Sequence, residues 1–484
     1  MIATAFLPSL LRAVALTAVT AMVVLLTGTI AARPAHAAQT FTVNTTADGA
    51  QGAGTTCDAP TAGDRCTLRA AIELANKDAG DSISVPAGLY ELDAKLGILP
   101  VQSSMTISGA GSAKTAVDGG GATQVLGVSG RPVSVSGLTV QNGASPDAGG
   151  GILNVGVLAL TDVVVTGSSA VIGGGIATAG PVTLTRSSLI GNQASFGGGL
   201  FLDSEAPQGT AVGASVVSST IRGNSAHETT IDGQPLPGEG GGLWLFSFGV
   251  PATVSVSGSA VTGNSATGED ALGGGVFNAD SALVMVDDTL NGNTAPSGIG
   301  GGILQFQDTS SPSSTGIAAA MTAAVRRVVA AATADLNAAL SRLSSRPAAP
   351  PGTISPASTS LDFVTLAGNS ADELGGGVAT GGGTFAAHDT IVAANAGGNC
   401  GGPGAVTSGG YNLESANDCG FGQTGDQHGT DPGLDALKLN APGTTATMAL
   451  LPGSPAIDSA DPRCDQSADQ RGVTRPQGSR CDIG

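Results

Sequence analysis

Few residues in this 484-residue chain could do chemistry, and they are scattered. Hydrolysis of a glycosidic bond needs two carboxyl groups a few ångströms apart. Asp287-Asp288 is the one adjacent Asp-Asp pair inside a repeat, and neighbours on a strand point to opposite faces. That pair is expected to mark a strand end. Elimination chemistry wants carboxylates for a cation together with an Arg or Lys base. The chain has four lysines, Lys77, Lys95, Lys114 and Lys438, none of them among the repeats. Arg186 and Arg222 stand singly, as do His227, His388 and His428. No Gly-x-Ser-x-Gly elbow supports a nucleophilic serine. Asp458, Asp461, Asp465 and Asp469 could hold calcium. Arg463, Arg471, Arg475 and Arg480 lie among them, so ion pairs at the end of the molecule are expected instead. No catalytic residue is assigned, no cofactor is called for, and the metal question stays open.

Composition says what kind of chain must position these groups. Glycine contributes 76 residues, aromatics 3% and charged residues 12%, while 41% is hydrophobic. Such a chain is rich in tight turns and small aliphatic contacts. Nineteen basic residues face 37 acidic ones. Without a basic patch to neutralise phosphates, nucleic acid is excluded as a partner.

Residues 1 to 37 form a leader. Arg12 precedes an apolar run from Ala13 to Ala32, and Ala35-His36-Ala37 is a small-x-small cleavage pattern. Cleavage before Ala38 is favoured, although the run is long enough to remain as a membrane anchor. No second apolar segment of membrane length follows, so an extracellular or cell-surface location is expected. Cys57, Cys66, Cys400, Cys419, Cys464 and Cys481 then suggest disulfides rather than metal ligands. They fall as three local couples at the two ends of the chain, although six cysteines allow 15 pairings.

The middle of the chain repeats. Glycine triplets followed by an aliphatic residue end at Ile152, Ile176, Leu200, Leu243, Val276, Ile303 and Val378, 24 residues apart where nothing is inserted. An aliphatic-x-Gly-Asn signature precedes most of them, as in Leu189 to Asn192. A period in the twenties marks a solenoid. Val, Thr, Ser and Ile alternate within each unit, and no helix-period stretch intervenes. Each coil therefore consists of strands and bends, with Gly and Asn in left-handed positions and Asn amides bonding from coil to coil. The predicted fold is all-β, a right-handed parallel β-helix over residues 82 to 420 with roughly ten to thirteen coils. An N-terminal cap (38–81) with a helix near Thr67 to Lys77 precedes it, and a C-terminal cap region (421–484) follows.

Two insertions interrupt the period. Residues 227 to 239 look like an extended loop. Residues 305 to 360 include an amphipathic helix from Gly316 to Arg346 with Ile317, Met321, Val325, Val328, Leu336, Leu340 and Leu343 on one face. The residue after each aliphatic position must face outward, and that column contains Phe201, Trp244, Phe277 and Leu304. Phe246 and Phe248 share the face of Trp244. With only 14 aromatics in the chain, this apolar stripe implies a cover or a partner. The inserted helix is the expected cover; a sugar-binding or protein-binding groove is the alternative.

Cys66-Thr-Leu-Arg-Ala-Ala-Ile72 with Ala75-Asn76 resembles the Cys-Ser-Leu-Arg-Glu-Ala-Ile signature of exported bacterial β-helix proteins. The Gly-Gly-Gly-Ile and Leu-x-Gly-Asn repeats are similar to the Gly-Gly-Ala-Ile and Phe-x-x-Asn repeats of polymorphic outer membrane proteins. Thr430-Asp-Pro-Gly-Leu434, Pro452-Gly-Ser-Pro-Ala-Ile-Asp458, Asp469-Gln-Arg-Gly472 and Cys481-Asp-Ile-Gly484 resemble the C-terminal region of the same β-helix proteins. Ala70 replaces the usual Glu, which leaves half a capping box at Thr67. The resemblance implies a pectate-lyase-like architecture. The expected function is a secreted or surface β-helix with a structural, adhesive or binding role, its partner a surface polysaccharide or another extracellular protein. The alternative is a polysaccharide lyase or glycoside hydrolase on the same scaffold.

Overall fold

The computed structural model describes residues 37 to 484 apart from 51, 53–56, 58–64, 131, 205–211, 232–233, 248–251 and 308–356. The leader and the inserted helix both lie outside the described residues. Strands of alternating Val, Ile, Leu, Ser and Thr stack in register into long, wholly parallel sheets of twelve, eleven and ten strands, with a fourth of five. This is a right-handed parallel β-helix. One coil runs through Val182–Thr185, Ser188–Ile190, Gln193–Ala194 and Leu200–Asp203, one strand in each sheet. Inward residues of the twelve-stranded sheet, such as Ile107, Val135, Leu160 and Leu184, stack into one buried apolar core. No helix among the described residues is long and apolar enough to cross a membrane.

The solenoid begins earlier than the pattern suggested, because Thr40–Thr42 already pairs with Asp81–Val85 as the first rung. Helix α1, Leu68–Ala75, lies between these two rungs in sequence. Thr67 caps it by accepting from the Ala70 amide at 3.0 Å. The signature arginine serves the fold: buried Arg69 forks onto Asp48 at 2.8 Å and donates to the carbonyls of Gly97 and Ile98. The disulfides are Cys57–Cys66, Cys400–Cys419 and Cys464–Cys481.

Two details of the bends differ from expectation. Asn192, Asn224, Asn264, Asn293, Asn369 and Asn395 do form a buried amide ladder, each Nδ2 donating to the next Oδ1 at 2.9–3.1 Å, ending on Asn399. Within the ladder the left-handed residue is the one before the asparagine, a glycine as at Gly191 (φ 63°) and Gly223 (φ 62°) or Ala394 (φ 53°), while Asn142 (φ 51°) is itself left-handed. Glycine carries the turn so that the amide is free to point inward. Insertion 227 to 239, expected as an extended loop, contains a short antiparallel hairpin, Thr229–Ile231 with Gln234–Leu236.

The C-terminal segment is not simply an end cap. It runs back along the corner between the twelve- and eleven-stranded sheets. Thr445 Oγ1 donates to the Gly258 carbonyl at 2.9 Å, and Gln470 Nε2 to the Ser259 carbonyl at 3.0 Å. Ala456, Ala460, Cys481 and Ile483 pack against Phe363, Ile391 and Leu413. The corner residues supply the reason, since Phe363 and Ile391 would otherwise present apolar surface to water.

Candidate functional site

The twelve-stranded sheet presents the largest regular face. Its outward residues stack coil upon coil: Ser82, Thr106, Ser134, Ala159, Thr183, Ser215 and Ser255 form one column in register. Ser84, Ser108, Ser136, Thr161 and Thr185 form a second beside it. Thr106, Ser134, Thr183 and Ser255 are exposed. Across these seven coils the only ionisable strand residue, Asp81, is buried. Parallel stacking spaces such hydroxyls by about 4.8 Å along the axis. The face can donate and accept hydrogen bonds but carries no charge to move a proton or hold an anion.

The outward column of the ten-stranded sheet is different: Phe201, Trp244, Phe277 and Leu304 are buried, Trp244 to 1% exposure. The glycine triplet turns the chain back on itself, so the residue five positions earlier covers each member. Ala148, Ile172, Phe196, Glu239 and Leu272 make that covering column. Trp244 stacks on Phe201 at 4.5 Å and Phe246 at 5.6 Å, with Phe196 at 5.7 Å and Phe277 at 6.2 Å. The column is therefore a second apolar core, not an open stripe; Phe248 lies outside the described residues. Glu239 occupies an apolar place in it, and burial pushes its carboxyl up to about 8. Glu239 Oε2 and Trp244 Nε1 have no hydrogen-bond partner among the described residues.

Among the described residues the candidate catalytic groups do not converge on an open cleft. Asp288 points inward and ends a serine ladder: the Ser187 amide donates to the Ser219 hydroxyl oxygen, the Ser219 amide to that of Ser259, and the Ser259 amide to Asp288 Oδ1 at 2.7 Å. Burial holds the Asp288 carboxyl well above the usual carboxylate range. Asp287 points outward to Arg475 at 2.6 Å, so the two carboxylates diverge as expected. Burial raises Asp287 to about 6 against the pull of Arg475. A shallow depression lined by Glu91, Asp118 and Asn142 brings two carboxylates into register on adjacent strands. Asp118 is already taken up by Asn142, Gln141 and the Gly120 amide. Arg186 forks onto Asp162.

One cluster was hidden in the sequence. His388 Nδ1 bonds Asp362 Oδ1 at 3.0 Å and stands 3.4 Å from Asp389 Oδ2, while Nε2 stands 3.4 Å from Asp461 Oδ2. The hydrogen bond to Asp362 and the charge of Asp389 lift His388 to about 9, against the effect of burial. Burial raises Asp389 to about 6. Arg463 holds Asp461 well below the usual carboxylate range. Arg471 pairs with Asp469, so ion pairs do organise the acidic end motifs, along a flank rather than across an end.

No protein-family model matches the chain, and no curated protein sequence matches it. Among solved structures it is similar to the pectate lyase Pel9A, with a TM-score of 0.47 and 11% identity over 93% of this chain and 96% of that one. It is also similar to the A-module of the mannuronan C-5 epimerase AlgE6 of Azotobacter vinelandii, with a TM-score of 0.31, 14% identity and 72% and 94% coverage. A third is the endo-xylogalacturonan hydrolase of Aspergillus tubingensis, with a TM-score of 0.26, 12% identity and 77% and 95% coverage.

Proposed function

We propose that the protein is an extracellular, non-catalytic β-helix that binds neutral polysaccharide on its twelve-stranded face. The uncharged, in-register hydroxyl columns from Ser82 to Ser255 carry this reading. Each hydroxyl both donates and accepts, as sugar hydroxyls do. Individual contacts are weak against water, about 1 kcal/mol or less, so a long polymer engaging many coils is the fitting partner. Three disulfides favour an oxidising compartment. A net charge of −18 repels polyanions. The test is co-sedimentation with insoluble neutral glucan or chitin. Retention should persist in high salt, with no unsaturated product or reducing end released from polygalacturonate, alginate or the glucan. Turnover that disappears on changing one Asp or Arg would overturn the reading.

A further inference from the structure

We propose that Asp362, His388 and Asp389 hold one divalent transition cation of the zinc class. Strands Ser358–Asp362 and Thr384–His388 are neighbours whose last residues pair in register, which puts carboxylate and imidazole side by side. Asp389 follows at a left-handed corner (φ 46°), which turns its carboxylate back toward the ring. The three donor atoms, Asp362 Oδ1, His388 Nδ1 and Asp389 Oδ2, lie within 4.8 Å of one another. Nδ1 stands 3.0 Å and 3.4 Å from the two oxygens. Ligands about 2.1 Å from a shared ion stand roughly 3.0 to 3.4 Å apart in octahedral and tetrahedral sites, so little movement is needed.

A second observation points to a ligand. The Asp389 side chain is fully buried, yet Oδ2 has no hydrogen-bond partner among the described residues and faces Nδ1. Oδ1 accepts the Asp461 amide at 2.8 Å, which keeps the carboxylate from turning away. A buried carboxylate oxygen without a donor is unfavourable, and a bound cation removes that cost. The imidazole decides the class of ion, because calcium and magnesium prefer all-oxygen sites. His388 and Asp362 keep 22% and 25% exposure, which leaves a route in and room for water as a further ligand. The C-terminal segment supplies the orienting contacts. Asp461 Oδ2 stands 3.4 Å from His388 Nε2, and Gln466 Nε2 donates to Asp362 Oδ2 at 3.1 Å. A carboxylate on the far ring nitrogen fixes the tautomer that leaves Nδ1 free to ligate.

The untagged full chain, stripped with EDTA and desalted, is titrated with Co²⁺ by visible absorption and with Zn²⁺ by calorimetry. One ion per chain is expected, with affinity reduced about 100-fold or more in Asp389→Asn and His388→Gln, since even outer contacts are worth 10- to 100-fold. Asp162→Asn, at the same corner several coils away, should bind as wild type. Should the ligand variants misfold, the wild-type histidine ring ¹⁵N spectrum decides: Zn²⁺ must move Nδ1 of His388 and leave His227 and His428 in place. No uptake, or wild-type affinity in folded Asp389→Asn and His388→Gln, would overturn the site.

Discussion

Two flanks of the solenoid are covered, and they are covered by opposite means. Outside the ten-stranded sheet each coil covers itself: the residue before the glycine triplet folds over the second residue after it, and Phe196, Phe201, Trp244 and Phe277 make an apolar layer. At the corner of the twelve- and eleven-stranded sheets one distant segment, residues 445 to 484, covers several coils with ion pairs and amide contacts. Self-covering repeats need only short-range geometry, and any polar residue in them is left alone. A returning segment can match charge with charge, because its sequence is not bound to the coil period. Among the described residues the twelve-stranded face has neither cover across its first seven coils, which is why it is the surface proposed for a partner.

The sharpest break in this comparison concerns Glu239, a lone carboxyl in the self-covered layer. Its folded value of about 8 exceeds the ordinary 4.5, so the native state binds the extra proton between those limits. Stability is whole below about pH 4.5 and falls as pH rises toward 8, by on the order of 5 kcal/mol if the site stays closed. Glu239→Gln should therefore raise resistance to denaturant strongly at pH 9 and hardly at pH 4. An equal gain at both values would show that the carboxyl is not isolated. On the other flank Arg475→Ala strands Asp287 and removes the guanidinium lying 4.1 Å over Phe363. A loss of about 3 kcal/mol is expected for a largely buried pair, confined to residues 445 to 484 when followed by amide exchange. Uniform loss across the coils would mean that the segment does not open separately. Arg186→Ala, at an exposed pair on the same corner, should leave melting unchanged.

Much of this was legible before the structure. The 24-residue spacing and the Gly-Asn steps implied the coils and the amide ladder, because both follow from one period. The phase of Phe201, Trp244 and Phe277 was legible too, and so was their need for a cover, but not that the coils themselves supply it. It depends on the triplet bending the chain so that position five before covers each ring. Asp362 and His388 are 26 residues apart, Asp162 and Arg186 24, Asp118 and Asn142 24. One coil separates each pair, so aligning charges at the coil period would have found them. Asp389 with Asp461 and Asp287 with Arg475 join the coils to the C-terminal segment, which carries no repeat, and could not be read from spacing.

The most direct test of the account places charge on the open face. Thr183→Lys with Ser255→Lys puts two ammonium groups into the outward hydroxyl column, while Thr166→Lys with Ile190→Lys puts two on the outer face of the eleven-stranded sheet. Co-sedimentation with insoluble neutral glucan or chitin is compared at equal melting temperature. The first pair should abolish retention and the second should leave it intact; equal retention by both variants, or equal loss, would contradict binding on the twelve-stranded face.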